Sequence, residues 1–165
     1  MVNNYIIMID NSYSMGSYMY KVVNGLNTFL YRLRQSEEKT FLTVITFNAT
    51  LKYIVRYADV KLINPFELNQ FTVYGTTALY DSICEVISTN SLLLSSPINL
   101  FIISDGDDNI STVYTKERTN EICKQAINSG YWNIIHCNLE EIILDIPTIA
   151  YQEEDISNIF DNLKI

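Results

Sequence analysis

Tyr5-Ile6-Ile7-Met8-Ile9 is a continuous apolar run that ends abruptly on Asp10. It is short, β-prone and free of polar alternation, the pattern of a strand covered on both faces. Leu100 to Ile103 repeats the pattern and ends on Ser104-Asp105. Such strands need helices above and below them, which implies a parallel sheet with crossover connections. Ser17 to Arg34 supplies one helix, with Met19, Val22, Val23, Leu26, Phe29, Leu30 and Leu33 at helical spacing. Thr77 to Ser88 predicts a second, with Leu79, Ile83, Val86 and Ile87 facing inward. Thr115 to Asn128 predicts a third, capped by Thr115 and stopped by Gly130. Phe41 to Phe47, Ile98 to Ser104, Trp132 to Cys137 and Ile146 to Tyr151 read as strands, and Asp155 to Leu163 as a closing helix. After a turn at Asn48-Ala49-Thr50, Leu51 to Tyr57 alternates as an antiparallel edge partner would. The expectation is one α/β domain over residues 1–165, a doubly wound, Rossmann-like, mostly parallel sheet with one antiparallel edge strand.

An open sheet of this kind binds ligands where its strands end and the chain leaves for the next helix. Three polar strings fall at such places. Asp10-Asn11-Ser12-Tyr13-Ser14 follows the first strand, Ser104-Asp105-Gly106 follows another, and Gly75-Thr76-Thr77-Ala78-Leu79-Tyr80-Asp81 opens a helix between them. Asp10, Ser12, Ser14, Thr77 and Asp105 offer two carboxylates and three hydroxyls, hard oxygen donors suited to magnesium or manganese, with calcium as the alternative. Two carboxylates facing each other at ~4 Å repel by roughly 1 to 4 kcal/mol, depending on the effective dielectric, and a divalent cation removes that repulsion.

The same residues, in the same order and at similar long spacings, resemble the metal-ion-dependent adhesion site of the von Willebrand factor A-type domain family. The likeness covers nearly the whole chain. Ile103-Ser-Asp-Gly-Asp-Asp-Asn109 is similar to the intracellular, bacterial-type members. Tyr13 departs from the pattern, which commonly has glycine there, and the segment between Cys137 and Ile146 has room for only a short helical turn, abbreviated against a typical member. The resemblance implies a binding module rather than an enzyme: a metal held by Asp10, Ser12, Ser14, Thr77 and Asp105, with one position open to an Asp or Glu carboxylate of a partner protein. It also implies the alternative of an accessory subunit for an ATPase or a stress-response kinase complex.

The remaining features narrow the field. A net charge of −8 disfavours nucleic-acid backbones, which need clustered Lys and Arg. A metal-dependent phosphohydrolase or phosphotransferase is the enzymatic alternative, but the chain has no Gly-rich phosphate loop and no D-x-D after the first strand. His136, the only histidine, has no obvious nucleophile to serve, and it adjoins Cys137 on a strand, where neighbours face opposite ways. Cys84, Cys123 and Cys137 form no C-x-x-C pair and read as small core residues. Asp81 suits a helix N-terminus or an outer layer of the metal site, and Asp107 and Asp108 read as solvated loop acids. There is no signal-peptide pattern and no apolar stretch of the ~20 residues that span a bilayer, so the expected compartment is cytoplasmic and the formal sequons at Asn48 and Asn109 are expected to carry no glycan.

Overall fold

The computed structural model describes residues 2–91, 96–139, 144–150 and 158–161. Strand β1 (Val2–Asp10) lies at the centre of the sheet, paired in parallel with β2 (Lys39–Phe47) on one side and β4 (Ile98–Ser104) on the other. β5 (Trp132–Asn138) and β6 (Thr148–Ala150) extend the sheet in parallel beyond β4. β3 (Leu51–Asp59) closes the other edge antiparallel to β2, giving the order β3-β2-β1-β4-β5-β6. The expected mostly parallel sheet with one antiparallel edge is therefore present.

Each central strand is covered on both faces. Tyr5, Ile7 and Ile9 point to α1 (Met19–Gln35), whose Val22, Leu26, Phe29 and Leu33 are wholly buried. Phe29 meets the ring of Tyr5 edge-on at 5.5 Å and stacks on Phe160 at 5.1 Å. Ile6 and Met8 point the other way, to α2 (Leu79–Asn90) and α3 (Lys116–Asn128), through Ile83, Val86 and Cys123. Burial of each large side chain contributes roughly 1.5–3 kcal/mol, so this two-sided cover explains why Ile6–Ile9 and Leu100–Ile103, the middles of β1 and β4, carry no polar residue.

The departures from expectation are local. A 3-10 turn over Tyr13–Ser17, anchored by the buried Met15, precedes α1, so the regular helix starts at Met19 rather than at Ser17. α2 begins at Leu79 rather than at Thr77, because Ala78 is not helical (φ −105°, ψ 66°) and Thr77 is committed elsewhere, as described below. In β3 the ladder slips opposite Thr43, whose hydroxyl accepts the N–H of Tyr57, a residue in the left-handed region at φ 46°. Thr115 does cap α3, accepting the Arg118 N–H, and Gly130 at φ 77° ends that segment. Of the expected last strand, Thr148–Ala150 pairs with β5, and Tyr151 lies outside the described residues. Of the expected closing helix, only residues 158–161 are described, and they form a turn that seats Ile159 and Phe160 in the core. The short turn expected before Ile146 falls on residues 140–143, also outside them.

The register sets up the functional edge. Ile9 is level with Thr46 and with Ile103, so Asp10 and Asp105 leave adjacent strands at the same end of the sheet.

Candidate metal centre

Asp10 is the last residue of β1 and has no exposed surface. One carboxylate oxygen accepts the Ser12 N–H at 2.8 Å, and the other accepts the Thr77 hydroxyl at a long 3.4 Å. The first contact folds the loop back on itself in the manner of an Asx turn. It places the Ser12 hydroxyl 3.1 Å from that of Ser14. Asp105, just past β4, is also buried, and its carboxylate accepts the N–H of Asp107 at 3.3 Å. Burial foremost, with the like charge of Asp105, holds the Asp10 carboxyl up at about 6 against the opposing hydrogen bonds from Ser12 and Thr77. No basic side chain among the described residues offsets that push.

All five expected residues thus meet at one edge. Ser14 is the exposed member, while Asp10, Ser12, Thr77 and Asp105 are buried. Among the described residues no group of three His, Cys, Asp or Glu side chains could hold a metal. Any ion here would depend on hydroxyls as much as on carboxylates. The donor chemistry fits a hard divalent cation: the oxygens are neutral or anionic, and two buried acids share one small space.

Three asparagines, Asn11 and the sequon residues Asn48 and Asn109, hold the loops together, a part their sequence patterns did not suggest. Asn11 donates its side-chain amide to the Thr72 carbonyl at 2.9 Å, and Asn48 donates to the Tyr74 carbonyl at 3.0 Å. Asn109 accepts the Thr77 N–H on its side chain at 3.0 Å and donates its own N–H to the Thr77 carbonyl at 2.9 Å. That double clamp keeps Thr77 out of α2 and aims its hydroxyl at Asp10. The available signal was position: Asn11 and Asn48 each directly follow a strand on the site's edge. Asn48 is itself buried, its amide spent in this role rather than offered to solvent as its sequon would require. Gly75 (φ 74°) and Gly106 (φ 97°) adopt left-handed turns beside Thr77 and Asp105, a conformation that costs other residues about 1–2 kcal/mol.

Two acids have roles beyond those expected. Asp108 is not merely solvated: it accepts the Tyr80 N–H at 3.2 Å and the Ser111 hydroxyl at 2.6 Å, capping the start of α2. Asp81 stands in the first turn of α2, the helix N-terminus it was expected to favour, and does more there. Its carboxylate accepts the N–H groups of Thr112, Val113 and Tyr114 at 2.8–3.3 Å and so pins that loop against α2.

His136 does have a partner, Ser104, with Oγ to Nε2 at 2.8 Å. Both residues are wholly buried, and Nδ1 has no hydrogen-bond partner among the described residues, so no third group orients the ring from that side and the hydroxyl is closed to solvent. Burial pushes the imidazole down to about 4. The pair ties β4 to β5 and offers no nucleophile. The three cysteines are free and buried, as expected.

No family model matches the chain, and no curated protein matches it in sequence. Solved structures do match it in fold. The vWF domain of the type V pili tip protein Mfa5 from Porphyromonas gingivalis has a TM-score of 0.73 at 10% identity, over 98% of this chain and 93% of that one. A von Willebrand factor type A protein from Catenulispora acidiphila has a TM-score of 0.66 at 14% identity, over 96% of this chain and 41% of that one. The ArnB paralogue VWA2 from Sulfolobus acidocaldarius has a TM-score of 0.62 at 19% identity, over 94% of this chain and 43% of that one. The chain spans less than half the length of the last two. At these identities the likeness is one of fold, and the chain has the von Willebrand factor A-type fold. No helix among the described residues is long and apolar enough to cross a membrane.

Proposed function

We propose that this domain is a metal-dependent protein-binding module that captures an Asp or Glu carboxylate of a partner. One observation carries the reading: a fully buried Asp10 beside the like charge of Asp105, held mainly by the hydroxyls of Ser12 and Thr77 and offset by no basic side chain among the described residues. Asp10, Ser12, Ser14, Thr77 and Asp105 would hold magnesium or manganese. When bound, such an ion supplies an electrophilic centre for an oxygen from outside. The chain's own residues do the rest. Two acids only just neutralise a divalent charge, so three neutral hydroxyls leave the site receptive to a further anion. The Asn109 clamp and the glycine turns keep Thr77 and Asp105 in place beforehand, which lowers the ordering cost of binding.

Tyr13 bears on access. Its N–H donates to the Gly75 carbonyl at 3.2 Å, and its side chain is 73% exposed. Exposed Tyr74 lies on the paired loop, its N–H donating to the Asn11 carbonyl at 2.9 Å. These tyrosines stand at the rim in solvent, where rigid aromatic area is of use to an interface. No chemical step is needed, and the buried Ser104–His136 pair offers none.

The test is paramagnetic. Manganese added to ¹⁵N-labelled protein is expected to broaden the amide signals of Ser12, Ser14, Thr77 and Asp105 first, reversibly with chelator. First broadening at another acidic patch would refute the assignment.

A further inference from the structure

A groove of about 440 Å³ opens beside this edge. Its near end is built from Ala78, next to Thr77, and Ile110, whose N–H donates to the Thr77 carbonyl at 3.2 Å. It therefore adjoins the backbone of Thr77, beside the proposed carboxylate site. From there it runs along the outer face of α2, past Asp81, Glu85 and Ser88, between the β3 end at Leu51 and the 110–114 loop.

The lining has a definite chemistry. No lysine, arginine or histidine contributes to it among the described residues, while two acids do. Asp81 is already spent on three backbone N–H groups. Glu85 is not: it is exposed and has no ion-pair partner among the described residues. Leu51, Ile110 and Val113 provide apolar sides, with Val113 73% exposed although nothing packs on it. An unpaired acid partway along a groove of mixed polar and apolar lining suits a long aliphatic stem with a cationic head, the shape of lysine or arginine.

Distance sets the spacing. Glu85 is six residues along α2 from Leu79, about 9 Å at 1.5 Å per residue. An extended partner chain advances about 3.3 Å per residue, so a basic residue about two to four positions from the captured acid would reach Glu85. We infer that the groove is a second subsite for the same partner segment, receiving a lysine or arginine about two to four residues from the carboxylate. The inference rests on the reading of the sheet edge as a carboxylate-capturing site.

The probe is a random-peptide phage library, panned with magnesium on the wild-type domain, on Glu85→Lys, on Glu85→Gln and on Asp10→Ala. The expected selection is peptides with an Asp or Glu and a Lys or Arg at a fixed offset, released by chelator and absent from Asp10→Ala. A synthetic peptide of that consensus should bind Glu85→Lys about tenfold or more weakly, and Glu85→Gln less so, with magnesium affinity of the domain unchanged. Selected peptides with an acid but no basic preference, or with a basic preference that survives in Glu85→Lys, would overturn the groove subsite and leave the carboxylate site standing. Selection indifferent to chelator and to Asp10→Ala would overturn both, as would no enrichment over an unrelated control protein.

Discussion

Asp10 and Asp81 are both acids at the carboxyl edge of the same sheet, and the fold treats them in opposite ways. Asp81 sits half-buried at the head of α2 and receives three successive backbone N–H groups, so its carboxylate is a finished part of the structure. Asp10 is fully buried, receives one backbone N–H together with hydroxyl contacts from Ser12 and, at a long 3.4 Å, Thr77, and feels the like charge of a second acid. A buried carboxylate saturated with donors builds a loop. One buried beside another acid, with a single backbone N–H and otherwise only hydroxyls that can turn to an ion, is costly as an anion and is satisfied by a cation from outside. The sequence does not separate the two cases, since each acid stands at one end of a polar, hydroxyl-bearing string at the sheet's carboxyl edge. The difference lies in what the neighbouring backbone is free to donate.

The comparison breaks most severely at Asp10. Asp10→Asn is expected to lower magnesium affinity by more than about 100-fold while leaving the circular dichroism spectrum unchanged. The metal-free protein should respond the other way. Folded Asp10 keeps its proton up to about pH 6, whereas the unfolded chain releases it near 3.8, so the stability gained by the protonated form is complete below 3.8 and lost as pH rises through 6. By pH 7 the buried charge costs up to about 3 kcal/mol, and Asp10→Asn should recover much of it in chelator, read as a raised midpoint in urea.

His136 separates burial from like-charge repulsion, because burial alone shifts it. The folded protein keeps it neutral down to about pH 4, while the unfolded chain protonates near 6.5. Stability is therefore full above 6.5 and falls as pH drops through 4, by up to about 3 kcal/mol. The protonation-silent variant His136→Phe should flatten that limb of the pH profile; an unchanged profile would show that the ring is accessible to water.

Asp81→Asn should cost about 1–3 kcal/mol in urea unfolding by freeing the 112–114 amides, yet change magnesium affinity by less than about threefold. A large loss of metal affinity would place Asp81 at the ion and erase the contrast. Thr77→Ala is the mildest change for the fold, within about 1 kcal/mol, and should weaken metal-dependent peptide capture about tenfold, with Thr77→Ser restoring it. Capture at wild-type strength by Thr77→Ala would remove that hydroxyl from the site.

The sheet was legible because its signals are collective. Uninterrupted runs such as Tyr5–Ile9 demand two-sided cover, and the helical spacing of Val22, Leu26, Phe29 and Leu33 supplies it. The five candidate oxygen donors were legible for a similar reason, as each lies at or just past a strand end or helix start. What stayed hidden was pairwise. The Asn109 clamp on Thr77 crosses 32 residues and the Asp81 contact to Tyr114 crosses 33, and neither leaves a periodic trace. The same is true of Ser104 and His136, which meet only because β4 and β5 pair in that register. Helix starts slipped by two residues where such contacts overrode local propensity: Thr77 would extend α2 if Asn109 did not hold its backbone.

Calorimetric titration of magnesium and manganese into chelator-stripped protein, with Asp10→Asn run in parallel, tests the central claim most directly. Saturable binding of one ion by the wild type, lost in the variant, is the predicted result. Wild-type heats indistinguishable from those of Asp10→Asn would contradict the account, because the strained acid pair would then have no affinity for the cation it is arranged to hold.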